Sequence, residues 1–134
     1  MSIKITELIP ASKQNITKSI EAVSAVTGIE VDRIMSESRL RDIVFARNMC
    51  FSVMRDGLGM TYTSIANHFG KHHATIIFAV KANDQDLTQN PLYRSRYESI
   101  LMQLGLRFRQ DTQYGNSVEK IQENMFRRTP IVID

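Results

Sequence analysis

The sequence predicts an all-α fold, a helical bundle that contains a helix–turn–helix and one further helix after it. Apolar residues recur three and four positions apart along most of the chain up to about residue 109, which is the spacing of one face of an α-helix. No two neighbouring segments alternate apolar and polar residues as a pair of strands would. Hydrophobic residues make up 43% of the 134 residues, which is enough for a core.

Three segments are predicted along the chain. Residues 1–12 form an N-terminal arm, residues 13–110 form the helical domain, and residues 111–134 form a polar tail with a candidate short helix at 118–126. The first residues lack a signal-peptide pattern, and no apolar run approaches the roughly 18 residues of a membrane span. The single cysteine, Cys50, excludes an internal disulfide. These features favour a cytoplasmic protein with no membrane partner.

The predicted helices before the helix–turn–helix follow from their apolar stripes. The first begins near residues 12–15 and ends at Gly28, a residue suited to a helix C-terminus. Its inward positions are Ile16, Ile20, Val23 and Val26. A helical turn at 31–35 should point Val31, Ile34 and Met35 inward, and residues 36–42 form a polar connection. A long helix then runs to about Asp56, where Gly57 and Gly59 stop it.

That long helix is apolar around much of its circumference, so we expect it at the centre of the bundle. Its inward residues are Ile43, Phe45, Ala46, Met49, Cys50, Phe51, Val53 and Met54. The last helix is predicted from Pro91 to about Arg109, with Asn90 as its N-cap. We interpret Cys50 as inert core, and Tyr93 and Tyr97 as packing residues.

The helix–turn–helix is predicted at residues 61–83, as helices at 61–69 and 72–87. Two short helices that cross around a tight turn need a small residue at the crossing and a residue in the turn that tolerates positive φ. Ala66 and Gly70 satisfy these two requirements. Thr61 suits the N-cap of the first helix. The apolar positions that close the small core are Ile65, Phe69, Ile76 and Ala79.

The exposed beginning of the second helix carries residues that can bind DNA. Lys71, His72, His73, Ala74 and Thr75 lie there, and Lys81 follows two turns later. In helix–turn–helix proteins this end enters the major groove, where His and Thr can hydrogen-bond base edges. Residues 39–81 contain six basic and two acidic residues. Such a stretch suits phosphate binding, although solvated surfaces can be equally basic.

Residues 65–79 resemble the signature of the C-terminal DNA-binding domain (domain IV) of DnaA, the bacterial replication initiator, whose fold is a Trp-repressor-like helix–turn–helix. The family pattern begins with an apolar residue and Gly or Ala, two variable residues and Phe-Gly, usually with a second Gly. A basic residue, Asp-His-Ser/Thr-Thr-Val and a helix that ends in basic residues follow. The likeness extends upstream through Lys18, the turn at 29–35, the Arg39–Arg41 segment and residues 46–49. It covers about residues 15–88 with the motifs in the same order.

The resemblance implies a role for each matching position. Arg41, with Arg39 as the second candidate, would enter the minor groove as the basic loop of the family does. Arg47 and Asn48 would hold phosphates, and Lys81 would contact the DNA backbone. His73, Ala74 and Thr75 would face bases in the major groove. Thr63, Lys71 and His72 complete the expected DNA-binding set.

The chain departs from the family pattern at four points. His72 stands where the family usually has Asp, the turn before it is one residue shorter, Ala74 replaces a hydroxyl residue, and Phe78 replaces a common polar residue. A carboxylate and an imidazole do not read the same base edge, so the preferred sequence can differ from that of DnaA. The sequence also has no Gly-x-x-x-x-Gly-Lys-Ser/Thr phosphate loop. We therefore expect a free-standing DNA reader, not an initiator.

The leading hypothesis is sequence-preferring binding of double-stranded DNA, in regulation of replication or transcription at the nucleoid, by a monomer or weak oligomer. The alternative is a protein-interaction module, for example for replication or transcription proteins, that kept the fold and lost DNA. Ala74 and Phe78 favour this alternative because they make the second helix less polar. Neither enzyme activity nor a cofactor is expected. His68, His72 and His73 lack neighbouring Cys, so we do not expect a metal site.

Overall fold

The computed structural model describes residues 9–106, which form six α-helices and contain no strand. The helices are α1 (Lys13–Thr27), α2 (Val31–Ile34), α3 (Arg41–Asp56), α4 (Tyr62–Phe69), α5 (His73–Gln89) and α6 (Pro91–Gln103). The all-α prediction is therefore confirmed. The first eight residues of the predicted arm and the candidate helix at 118–126 lie outside the described residues.

Helix α3 lies at the centre of the bundle, as its wide apolar surface predicts. It packs against α1, α2, α4 and α5, and the seven consecutive residues from Asn48 to Met54 are all buried. Cys50 has no accessible surface, and this burial raises the pKa of its thiol well above the ordinary value. The interpretation of Cys50 as a core residue is confirmed by its burial, and the raised pKa disfavours the reactive thiolate there.

The first helix ends and begins where local sequence rules place its caps. The Ser12 hydroxyl accepts a hydrogen bond from the Asn15 backbone N–H at 3.1 Å, and Gly28 follows α1 with a φ of 75°. The inward orientation predicted for Val31 is wrong, since this side chain remains 36% exposed. A helix of four residues presents little more than one position to the core, and Ile34 fills it with no accessible surface.

The last described helix is shorter than predicted. Helix α6 begins with Pro91 after the Asn90 cap, but it ends at Gln103 and not near Arg109. Gly105 adopts a φ of 74°, and the Leu106 N–H donates to the Leu101 carbonyl at 2.8 Å, which closes a Schellman motif. Leu106 is buried, so its hydrophobic contact helps to reverse the chain.

The tyrosines of α6 have the packing role predicted for them. Tyr93 is 3% exposed and Tyr97 is 1% exposed, and the Tyr93 hydroxyl donates to the side-chain oxygen of the buried Asn83 on α5. The Tyr93 ring also meets the edge of Phe45 on α3, with ring centroids 5.3 Å apart. Helix α6 thus anchors the second half of α5 to the bundle. No helix among residues 9–106 is both long and apolar enough to cross a membrane.

Candidate DNA interface

Helices α4 and α5 form the helix–turn–helix that the sequence predicts. Gly70 in the turn has a φ of 65°, a conformation that costs other residues strain, and the Lys71 N–H donates to the Ala66 carbonyl at 2.8 Å. The Thr61 hydroxyl caps α4 by accepting from the Ser64 N–H at 3.0 Å. The predicted small core is confirmed, because the four residues Ile65, Ala66, Ile76 and Ala79 are buried and the half-buried Phe69 ring packs against Phe51.

The N-terminus of α5 is capped by an imidazole. His72 has an extended backbone, and its Nδ1 accepts a hydrogen bond from the Ala74 N–H at 3.1 Å. Its ring stacks on that of His73, with centroids 4.5 Å apart. Nδ1 must therefore carry no proton, which leaves Nε2 as the nitrogen that a ligand can meet. His72, His73 and Thr75 are exposed and Ala74 is half-buried, so the first turn of α5 is accessible.

One side of α5 extends this accessible surface along the helix. At 100° per residue, five positions of the first ten residues of α5 fall within a sector of about 120°. They are Ala74, Thr75, Phe78, Lys81 and Ala82, which we call the α5 stripe. Thr75, Phe78 and Lys81 are exposed, whereas Ile76 and Ala79 face the core. The stripe therefore presents a hydroxyl, an aromatic ring and an ammonium group in succession.

The connection between α2 and α3 and the first residue of α3 each approach the helix–turn–helix or the remainder of α5 at one point. The carboxylate of Glu37 is 3.8 Å from the Lys71 ammonium group in the turn. Arg41 is the first residue of α3, so it is helical and not part of the connection as predicted, and its guanidinium carbon lies 5.2 Å from the centre of the Phe45 ring. Arg41 also lies near Asp86 in the second half of α5: burial raises the pKa of Asp86, and the Arg41 charge lowers it.

Arg47 makes contacts that sequence reasoning missed. Its Nε donates to the Ile34 carbonyl at 2.8 Å and its Nη2 donates to the Ser38 carbonyl at 2.9 Å. Arg47 therefore holds the α2–α3 connection, which carries Arg39, against α3. No sequence pattern indicates these contacts, because the partners lie 13 and 9 positions away, one at the end of α2 and one in the connection that follows it.

The other predicted site residues differ in their accessibility. Arg39, Thr63 and Lys81 are exposed, and the Lys71 side chain keeps 18% of its surface. Asn48 is buried, with only 8% of its surface exposed. Little of this residue is therefore accessible for the phosphate contact that the sequence predicts. Across residues 9–106, no three His, Cys, Asp or Glu side chains come together in a group that could hold a metal ion.

A buried helix–turn–helix core with an accessible second helix defines the class of this chain: it carries a helix–turn–helix domain of the DNA-binding type. The family model described as the bacterial DnaA protein helix-turn-helix matches residues 16–82. The chain belongs to this family.

Similar proteins carry the name chromosomal replication initiator protein DnaA. The protein from Mycoplasma pneumoniae is 32% identical over 62 residues, which are 46% of this chain and 14% of the relative. The one from Pelobacter propionicus is 29% identical over 99 residues, 72% of this chain and 22% of the relative. The one from Gloeobacter violaceus is 26% identical over 108 residues, 78% of this chain and 24% of the relative. The chain therefore spans about a quarter or less of each of these relatives.

Proposed function

We propose that this chain binds duplex DNA with sequence preference, through the N-terminal half of α5 in the major groove and the Arg39–Arg41 segment in the minor groove. One observation supports this proposal most. The first three turns of α5 expose polar and basic groups, and the sequence from Lys71 to Ala82 contains no acidic residue. Such a surface is complementary to the phosphates that line both sides of a groove.

Each accessible residue has a place in the proposed complex. His73 and Thr75 offer hydrogen-bonding groups to base edges, and Ala74 offers a methyl group to thymine. The remaining backbone N–H groups at the start of α5 suit a phosphate oxygen. Contacts with the DNA backbone are assigned in this proposal to Lys71, Lys81 and Thr63, and entry into the minor groove to Arg39 and Arg41. Thr63, Lys81 and both arginines are exposed, and Lys71 is half-buried. Because Nδ1 of His72 accepts the hydrogen bond that caps α5, Nε2 is the nitrogen that remains to face the groove.

The biological consequence we propose is regulation of replication or transcription by occupation of chromosomal sites in the nucleoid. The relatives are named as replication initiators, and their helix–turn–helix region is the part that this chain resembles. This type of domain binds DNA and is not catalytic. A regulatory role follows if occupied sites exclude other DNA-binding proteins or recruit partners.

Fluorescence anisotropy with random duplex pools at several salt concentrations tests DNA binding. We expect the logarithm of the affinity to fall linearly with the logarithm of the salt concentration, because phosphate contacts release counterions. A duplex selected from the pool should then bind more tightly than the pool itself. Absence of binding at low salt, or an affinity that does not change with salt, would contradict the proposal.

The protein-interaction alternative depends on Phe78. The exposed fraction of this side chain is 69%, so Phe78 does not pack into the described part of the C-terminal region. An exposed aromatic ring can meet a protein partner or the DNA groove. The exposed Thr75 and Lys81, which lie on the same side of α5 as Phe78, favour DNA.

A further inference from the structure

Phe78 is an exposed aromatic residue on a helix that is otherwise suited to DNA. Among the described residues, the large hydrophobic side chains with substantial exposure are Val31, Leu40, Phe78, Leu92 and Met102, and of these only Phe78 lies on α5. A ring that is 69% exposed contributes little to the core. The related family pattern commonly has a polar residue at this position, so the fold does not require an aromatic one.

The position of Phe78 on the α5 stripe places it in line with the base-reading residues. Phe78 lies four residues after Ala74, which corresponds to about 6 Å along the helix axis. Successive base pairs are about 3.4 Å apart, so a helix lying along the groove would bring Phe78 one or two base pairs beyond the base met by Ala74. Ile77 and Ala79 flank Phe78 in sequence but are half-buried and buried, respectively. Among these three neighbours, Phe78 is therefore the residue whose side chain is exposed to solvent.

The charges around Phe78 point to a polyanion as the occupant of this surface. Lys81 lies one turn after Phe78 and Lys71 lies in the turn before α5, while the nearest acidic residue along the helix is Asp84. Asp84 lies outside the α5 stripe. The Lys71 ammonium group is paired with Glu37, so the exposed Lys81 is the cation that supports this argument. An apolar ring one turn from an exposed cation matches the major groove, which has phosphates on its edges and apolar methyl groups on its floor.

We propose that Phe78 is a specificity-determining residue that contacts the C5-methyl group of a thymine in the major groove. This inference rests on the proposed duplex-DNA binding. A phenyl ring can neither donate nor accept a conventional hydrogen bond, so it can distinguish bases only by shape and apolar contact. Thymine is the one standard base with a methyl group in the major groove. The same contact extends to 5-methylcytosine, whose methyl group occupies the equivalent position.

Replacement of thymine by deoxyuridine tests the contact, because it removes the methyl group and keeps base pairing. A preferred duplex is first selected from a random pool, and each thymine is then replaced in turn. For the wild-type chain we expect one replacement to weaken binding about fourfold, which is the effect of one buried methyl group. This replacement should lie one or two base pairs from the position at which Ala74→Gly changes the affinity. Phe78→Ala should bind the thymine and deoxyuridine duplexes equally at that position.

Leu92→Ala is the matched control, since Leu92 is 61% exposed on α6 and outside the proposed interface. This variant should keep the wild-type discrimination between thymine and deoxyuridine. Phe78→Leu, which retains an apolar side chain, should keep part of it. Thermal unfolding of Phe78→Ala should match that of the wild type because the ring is exposed, so loss of fold cannot account for the result.

Two outcomes separate this inference from the proposed function. If the wild-type chain binds a selected duplex but Phe78→Ala keeps the full discrimination at every thymine, the contact with Phe78 is overturned and DNA binding stands. Phe78 then belongs to another interface, such as one with a protein. If the wild-type chain binds no duplex at low salt, the proposed function fails and this inference fails with it.

Discussion

The Nδ1 atom of His72 accepts a hydrogen bond from the backbone N–H of Ala74 at 3.1 Å, so an imidazole closes the first turn of the helix that we propose enters the major groove. Helix N-caps are usually Ser, Thr, Asp or Asn, whose oxygens accept from the same backbone groups. The family pattern has Asp at this position. The change to His therefore preserves the cap while it removes a negative charge from the DNA-facing surface.

Substitution of His72 separates its capping role from its DNA role. His72→Ala should lower the free energy of unfolding by about 0.5–2 kcal/mol, because the Ala74 N–H loses its acceptor. His72→Asp should keep the cap and the stability but weaken DNA binding, since a carboxylate repels phosphates. Urea unfolding and anisotropy measure the two effects. For the unfolding measurement alone, the control is His73→Ala at the exposed neighbouring position. Equal stability of His72→Ala and the wild type would contradict the capping role.

Removal of Arg47 should destabilise the α2–α3 connection. Arg47→Ala breaks charge-assisted hydrogen bonds to the Ile34 and Ser38 carbonyls, and we expect a loss of about 1–3 kcal/mol in urea unfolding. Arg47→Lys should recover only part of this loss, because an ammonium group does not span two acceptors as a guanidinium does. A stability equal to the wild type in Arg47→Ala would show that the connection needs no such anchor. A salt slope reduced by about 1 would support the predicted phosphate contact as well.

Neutralisation of Asp86 should strengthen DNA binding. Its carboxylate lies near Arg41, so Asp86→Asn should raise affinity by about two- to fivefold at low salt, the size of an exposed charge interaction. Anisotropy with the selected duplex measures this gain. Glu21→Gln, an exposed change on α1, is the control. An unchanged affinity in Asp86→Asn would mean that Arg41 does not act in the complex.

The same residue predicts a pH effect on stability. Because burial raises the pKa of Asp86 in the folded chain, this group favours folding when protonated. This stabilising contribution is complete below the pKa that Asp86 has in the unfolded chain. It is lost as the pH rises through the pKa that Asp86 has in the folded chain. The gain in stability of Asp86→Asn over the wild type should therefore be largest at neutral pH and shrink on acidification.

The cations and hydroxyl of the proposed interface should affect DNA binding in different ways. Arg41→Ala and Thr75→Ala should each weaken binding to the selected duplex by about 1–3 kcal/mol. Lys81→Ala should weaken binding to all duplexes alike and reduce the salt slope by about 1. Lys18→Ala, which removes an exposed cation on α1, should leave both quantities unchanged. Equal effects of Lys18→Ala and Lys81→Ala would argue for nonspecific charge attraction.

Two glycines with the same backbone conformation test the turn of the helix–turn–helix. Gly70 and Gly28 have φ values of 65° and 75°, and an added Cβ would meet no atom within 4 Å at either. Alanine at each position should therefore cost a similar strain of roughly 1–2 kcal/mol in thermal or urea unfolding. Only Gly70→Ala should also weaken DNA binding, because it shifts α5 relative to α4. A similar loss of binding in Gly28→Ala would contradict this.

The sequence alone determined the helices and the helix–turn–helix because these depend on local rules. Apolar spacing, the caps at Ser12, Thr61 and Asn90, and the turn at Gly70 all act within a few residues of one another. The Schellman motif that ends α6 at Gln103 is also a local feature, with Gly105 as its sequence signal. The sequence prediction extended this helix too far because the apolar spacing continues past Gly105. The position of residues 71–75 in the turn and at the accessible start of α5 was predictable for the same reason.

Only the tertiary structure decided what several of these side chains do. Arg47 holds carbonyl groups from a distant segment, Arg41 lies beside Asp86 on another helix, and Glu37 approaches Lys71 across 34 positions of sequence. None of these pairs has a local pattern, because the contacts exist only after segments distant in sequence pack together. The exposure of Phe78 has the same origin: the burial of Ile76 and Ala79 fixes which side of α5 faces outward.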